Sequence, residues 1–355
     1  MRKRVLMKNY IVCSLVIFVF FSCENNTDSL TGLFNNTKRL NHNELTYESD
    51  YLMGSSGKML ISDSVLITLD YNNERMFHVF DIKNNKYINN LGVKGQGLNE
   101  FLHPYSLIHH SHIDFLSYDL LDNSLKKIRI DSLMKGAIFY EKMISFNSIS
   151  NSMVIPTKHN HYVGFGLYES NMFKLIDADG EDIGLFMDFP TDKETKKIDH
   201  RNVALGYQGS LAINPDGDKL VYASLYGTIL GIYNIKEKSV SQEFLLVYDY
   251  PQFTVQNEGG SMSSPITKDG ISAFTDIYVT DKYIYALYSG KTISKLGAKA
   301  FEAQYIYVFN WKGTPLICYH LDIPVNNIAI DPDNKKIYAI SNLPEPTLVE
   351  FEIDL

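Results

Sequence analysis

Six stretches of this chain repeat one pattern, an apolar run ending on an aliphatic anchor, a short turn and a second apolar strand. A sequence so built has few folds open to it. The first three run Met59-Leu60-Ile61 into Val65-Leu66-Ile67, Ser106-Leu107-Ile108 into Ile113 to Ser117, and Met153-Val154-Ile155 into Tyr162 to Phe165. The next three run Leu211-Ala212-Ile213 into Leu220-Val221-Tyr222, Asp276 to Val279 into Tyr283-Ile284-Tyr285, and Asn327 to Ile330 into Ile337 to Ile340. The anchors Ile61, Ile108 and Ile155 are evenly spaced; Ile213, Val279 and Ile330 lie further apart because the loops between them grow. A third strand usually follows, as in Met76 to Phe80, Met172 to Ile176 and Tyr305 to Phe309. Turns such as Asn84-Asn85, Asp179-Gly180 and Lys312-Gly313 then lead to a fourth.

Six units of four strands, each about 45 residues long and rich in Tyr and Phe, predict an all-β, six-bladed β-propeller with four-stranded antiparallel blades. A pair of packed β-sheets would account for the strands but not for six anchors in register. One blade cannot bury both of its faces alone; its neighbours do so, and closing the ring protects the edges. The last unit stops at Leu355, just after its third strand. Residues 38 to 52 are therefore expected to supply its fourth strand and lock the ring. No long 3.6-residue apolar stripe interrupts this pattern after the N-terminal segment.

That segment carries Arg2, Lys3, Arg4 and Lys8, then the apolar run Ile11 to Phe21, then Ser22-Cys23. A basic start, a short apolar core and a small residue before the cut make a secretory signal, and the core is short for a spanning helix. Cysteine directly after the small residue resembles the lipobox of bacterial lipoproteins, in which that thiol is acylated. Phe20 departs from the usual Leu, and an ordinary cleaved signal with an incidental cysteine is the alternative. The chain thus divides into a signal (residues 1–22), a polar tether (23–45) and the propeller (46–355), with Cys23 as lipidation site. Loss of the signal takes four positive charges, so net charge falls from −8 to −12. That balance argues against nucleic acid or anionic lipid as partner. Cys13 leaves with the signal, and Cys318 is left without a disulfide partner.

Local wording agrees with the strand count. Asn214-Pro215-Asp216-Gly217-Asp218-Lys219 is similar to the Pro-Asp-Gly turn of TolB-type propeller repeats, and Asp331 to Lys336 echoes it. Gly95-Gln96-Gly97-Leu98-Asn99-Glu100-Phe101-Leu102-His103-Pro104 resembles the linker of NHL-like propellers. Ile284 to Gly290 and Val308 to Pro315 resemble the TolB-like six-bladed propeller lipoproteins of Bacteroides-type bacteria. The likeness spans roughly residues 45 to 355. It implies a fold and a cell-envelope location, periplasmic or surface-facing on the outer membrane, and brings no catalytic or binding residues with it.

Topology orders the loops. Turns joining the first strand to the second, and the third to the fourth, lie on one face of a propeller; the remaining connections lie on the other. The first set is short here, whereas residues 92–104, 188–208, 249–270 and 289–304 all fall in the second. Long loops on a rigid scaffold are where function usually sits. The candidate ligand-binding residues on that face are Glu100, His103, Arg201, Asn202, Tyr207, Gln208 and Lys291. Tyr105, Asn151, Asp276 and Asn327 are expected at the channel mouth. Arg201 stands out because a planar donor fork suits a carboxylate; an ion pair with Asp199 or Glu194 is its plainer role. Glu100, likewise, has the plainer role of capping its own glycine-rich loop.

Other constellations carry less. His109-His110-Ser111-His112 and His159-Asn160-His161 look like metal ligands but fall in short turns on the opposite face, in neighbouring blades. No phosphate loop and no Gly-x-Ser-x-Gly elbow is present. Propeller hydrolases ring a channel calcium with several acids, and Asp276 is the one acid the alignment puts there. No cofactor is expected beyond that candidate calcium. Three functional readings stay open: a lipid-anchored, non-enzymatic module binding an envelope protein or glycan through the long-loop face; a metal-assisted hydrolase or lyase acting on a polysaccharide or lactone in the channel; and a spacer without ligand.

Overall fold

The computed structural model describes residues 30–47, 54, 56–71, 73–147 and 150–355; the predicted signal and Cys23 lie outside them. Six blades form the ring: residues 56–93, 108–145, 151–186, 209–249, 271–325 and 327–352, numbered here 1 to 6. Within each blade the strands pair antiparallel in chain order. The innermost strands are Ser56–Ser62, Ile108–His109, Asn151–Pro156, Gly209–Ile213, Ile271–Val279 and Asn327–Ile330. Each repeat anchor sits on one of these six strands, and all six anchors line the channel at its short-turn end. The sequence period is therefore the ring itself: one aliphatic side chain per blade at the same height.

Second and third strands are sandwiched between neighbouring blades, which is why they read as continuous apolar runs rather than alternating ones. Every residue of Val65–Asp70 is buried. Aromatic side chains fill the wedge-shaped gaps between blades: Phe165 of blade 3 lies 5.5 Å from Tyr222 of blade 4, and Phe173 lies 4.9 Å edge-on to Tyr233. The Tyr and Phe abundance of the sequence is spent largely on this core.

The ring closes with the N-terminal segment. His42–Glu44 pairs antiparallel with Thr347–Glu352 and becomes the fourth strand of blade 6, inside the window expected from the sequence. Just before it, Thr37–Leu40 pairs parallel with Pro315–Val325 and gives blade 5 a fifth strand. The tether assignment for residues 23–45 therefore fails from Leu30 onward. Leu30, Phe34 and Leu40 are buried, Phe34 stacks on Tyr307 at 4.9 Å, and the Thr31 hydroxyl is 2.9 Å from that of Tyr307. Three apolar side chains, each contributing about 1.5–3 kcal/mol on full burial, hold down a stretch that its Asn and Thr content made look solvated.

The turns behave as their chemistry dictates. Asn214 Oδ1 accepts from the backbone N–H of Asp218 and Lys219 at 3.0 and 2.8 Å, and Gly217 adopts φ +71°, a left-handed conformation that suits glycine. Asp331 repeats the arrangement in blade 6, accepting from Lys335 and Lys336. One short-face connection is longer than expected: residues 130–139 of blade 2 contain the helix Ile130–Met134. On the other face, the connection from blade 3 to blade 4 carries the helix His200–Gly206. The connection from blade 4 to blade 5 carries the small hairpin Gln256–Glu258 and Ser261–Ser263. Blade 5 bulges between its second and third strands through Ile293–Leu296 and Gly297–Phe301.

Candidate functional site

A cavity of about 640 Å³ opens at the channel mouth on the long-loop face. Its wall mixes aromatic rings (Tyr71, Tyr105, Phe165, Phe301) with amides and hydroxyls (Gln208, Asn326, Asn327, Asn342, Ser152, Thr275). A second cavity of about 700 Å³ occupies the short-turn end, where the six anchors line it. Lys58 lines both cavities, and Asp276 lines the second.

Between the two cavities, polar contacts join four blades. Lys58 Nζ of blade 1 lies 2.5 Å from Asp276 Oδ1 of blade 5 and donates to Ser210 Oγ of blade 4 at 3.1 Å. Asp276 Oδ2 accepts from the backbone N–H of Ile328, in blade 6, at 3.1 Å. Asn327 Nδ2 donates to the Gly57 carbonyl at 2.7 Å, stitching blade 6 back to blade 1. Asp276 is the one acid that the repeat pattern puts at the channel, where a bound cation would need free carboxylate oxygens. Both its oxygens are instead taken, one by an ammonium and one by an amide, which is a ring tie rather than a free carboxylate. Among the described residues no group of three or more His, Cys, Asp or Glu side chains is gathered as a metal would need.

Of the eleven predicted residues, Tyr105, Gln208 and Asn327 line the mouth cavity, and Asp276 sits below it. His103 is one layer back: its ring stacks on Tyr71 at 5.3 Å. Tyr71 in turn donates its hydroxyl to the Tyr105 carbonyl at 3.3 Å. Burial, with Tyr105 and Asp276 close by, pushes the Tyr71 phenol well above its ordinary value, so it stays a donor throughout the physiological range.

The other predicted residues have structural work. Glu100 accepts from the Gly97 N–H at 2.7 Å and fills the space a Cβ on Gly95 would need, 2.0 Å from its carboxylate. The glycine-rich linker is thus a self-capped loop. It is pinned further by Asp119, whose carboxylate accepts from the N–H groups of Leu102 and His103 at 2.9 Å each and meets the buried Lys126 at 2.7 Å. Arg201 is exposed on the helix, 3.8 Å from Asp199, and does not reach the cavity; the plainer role holds. Asn202 is fully buried and clamps that helix to the neighbouring hairpin, donating to Asn257, Ser263 and Ser264. Tyr207 is core, its carbonyl accepting from Tyr222 at 2.6 Å. Lys291 donates to the Glu302 carbonyl at 2.7 Å, with burial lowering its pKa. Asn151 takes the Tyr168 hydroxyl at 2.6 Å rather than facing the mouth.

Sequence reasoning missed Lys58, Tyr71, Thr275 and Ser210. None belongs to a motif; only their height on an inner strand, or in Tyr71's case the loop after a second strand, brings them to the channel. The histidines His109, His110 and His112 do lie where expected, at the short-turn mouth, with His112 Nδ1 3.5 Å from Asp63.

Comparison with known proteins bears on the fold. The solved structure of a protein described as exported, from Bacteroides fragilis NCTC 9343, superposes with a TM-score of 0.51 at 12% identity, covering 90% of this chain and 99% of that one. The β-propeller domain of Myceliophteria thermophila Cps50 (Swd1) gives a TM-score of 0.49 at 10% identity, over 88% of this chain and 100% of that domain. No curated protein matches the sequence. The family described as TolB-like 6-blade propeller-like matches residues 35–333. Together with six blades and a clasped ring, that match assigns the chain to the TolB-like six-bladed propeller family.

Proposed function

We propose that this protein is an exported, lipid-anchored binding module of the cell envelope that engages its partner through the long-loop face, without catalysis. The observation that carries the reading is a set of exposed apolar side chains on the connections of that face. Leu121, Leu167, Leu296 and Leu343 each project from a connection on that face, with exposures of 68, 36, 46 and 48%. Large apolar side chains left exposed on one face of a folded domain are candidates for an interaction surface. Export rests on the signal sequence and is supported by the exported neighbour of the same fold.

A hydrolytic reading finds less support. Glycoside cleavage normally takes two carboxylates facing one bond. Among the described residues Glu302 is the acid that lines the mouth cavity, and Asp276 beneath it is bound to Lys58. The test is site-specific photo-crosslinking in the anchored protein. A photoreactive residue at Leu121 or Leu167 is expected to give discrete adducts with an envelope protein or glycan, and one at Ile113 or Phe139, on the other face, none. Adducts from Ile113 and Phe139 alone would reverse the assignment of the faces.

A further inference from the structure

We propose that the mouth cavity is a subsite for an uncharged saccharide, held by aromatic stacking and by hydrogen bonds to Asn327 and Thr275 on its floor. This rests on the long-loop face being the recognition surface and names the class of ligand its centre takes.

Two polar atoms carry the inference. Asn327 is 5% exposed, its Nδ2 is committed to the Gly57 carbonyl, and its Oδ1 is buried with no hydrogen-bond partner among the described residues. Thr275 Oγ1 is buried and unpartnered in the same sense. Both residues line the cavity. Buried polar atoms are almost always satisfied, so such a pair at the floor of an open cavity points to a ligand that completes it. Asn327 Oδ1 accepts only, and Thr275 Oγ1 both donates and accepts. A group matching both is a hydroxyl, or two adjacent hydroxyls.

Electrostatics narrows the class. The charged side chains lining the cavity, among the described residues, are Lys58 and Glu302. The Lys58 ammonium is already matched by Asp276 at 2.5 Å, so it offers an anion no free cation, and Glu302 repels one. The walls then supply what a hydroxylated ring needs on its less polar faces, namely the half-buried rings of Tyr105 and Phe301. Gln208, Asn326 and Asn342 add amide donors and acceptors to the lining. A cavity of about 640 Å³ falls in the range of sites for small ligands, about 300–1,000 Å³, which leaves room for two or three sugar units. The shape and the neutral, two-sided hydrogen bonding fit a glycan end better than a peptide terminus, whose carboxylate would meet no unpaired cation.

The test uses the mature protein and saturation-transfer NMR. The probes are cellobiose, maltotriose, xylotriose and N,N′-diacetylchitobiose, with galacturonate and a tripeptide bearing a free C-terminus as comparators, each at about 1–10 mM. At least one neutral saccharide is expected to give a transfer signal, with the comparators silent. Thr275→Val, which keeps the shape and removes the hydroxyl, is expected to weaken that affinity about fivefold, as is Asn327→Leu. Because Asn327 also ties blade 6 to blade 1, the exposed Gln208→Ala provides an independent check and is expected to weaken binding with no change in melting temperature. Ile113→Ser on the other face leaves binding unchanged. Signals from galacturonate or the tripeptide alone would overturn the proposal, as would silence from all four neutral probes, or neutral binding indifferent to Thr275→Val and Gln208→Ala together. If crosslinks from Leu121 and Leu167 capture a partner while the neutral saccharides stay silent, the ligand class is wrong and the binding face stands. If both fail, the face is wrong as well.

Discussion

Asp276 is 2% exposed, and Lys58 beside it is 22% exposed, so their contact is a buried ion pair with one end near the channel. Taking away one partner leaves the other charge desolvated, which costs about 3–5 kcal/mol. Lys58→Met is therefore expected to lower stability to urea by about that amount, and the double variant Lys58→Met/Asp276→Asn to recover a good part of it. Simple additivity of the two single changes would show that the pair does not tie the ring. Cys318 offers a second check at this scale. It is wholly buried, and burial pushes its thiol up to about 11, so little thiolate forms near neutral pH. Iodoacetamide at about pH 8 is expected to leave the native chain unmodified and to label it once unfolded, since the free thiol ordinarily titrates near 8.5. Rapid labelling of the native protein would contradict the packing of Thr37–Leu40 against that strand. Residues of this kind were hard to read from sequence. Asp276 was legible as a channel residue because it begins a repeat, but its partner Lys58 sits in blade 1, far off in sequence and in no motif. Arg201 drew attention by chemistry alone, and the helix that carries it points it to solvent.

At the scale of elements, the clasp decides whether the ring behaves as one unit. Without His42–Glu44, the outer edge of Thr347–Glu352 presents unpaired N–H and C=O groups, a template for association. A chain lacking residues 30–44 is expected to unfold at lower denaturant and to form oligomers by light scattering. A monomer of unchanged stability would show that the clasp is dispensable. Phe34→Ala is the milder form of the same test, expected to cost about 3 kcal/mol through loss of the stack on Tyr307. The strands and turns were largely legible because their signals are local: alternation or runs of apolar residues, and Asx or glycine at the turn. The clasp was half legible. Blade 6 has three strands of its own among the described residues, and its fourth came from the expected stretch. The parallel strand on blade 5 left no local trace, because its hydrogen-bond partner, Pro315–Val325, lies at the far end of the chain.

For the whole molecule, six anchors on six inner strands gave the ring its count and its axis, and topology sorted the connections into a short face and a long one. The mouth cavity itself was not legible, since it is assembled from side chains of all six blades that share only a height along the axis. Anchoring belongs to this scale too. Cys23→Ala is expected to move the protein from membranes to the soluble fraction after an alkaline wash, and a variant still fully membrane-bound would remove the lipid from the account. The central claim is that partners meet the long-loop face. Hydrogen–deuterium exchange of the protein, with and without envelope extract, reads both faces at once. The account predicts slowed exchange in residues 94–107, 250–270 and 293–302, with residues 214–217 and 331–335 unchanged. Protection confined to those short turns, or none on either face, would contradict it.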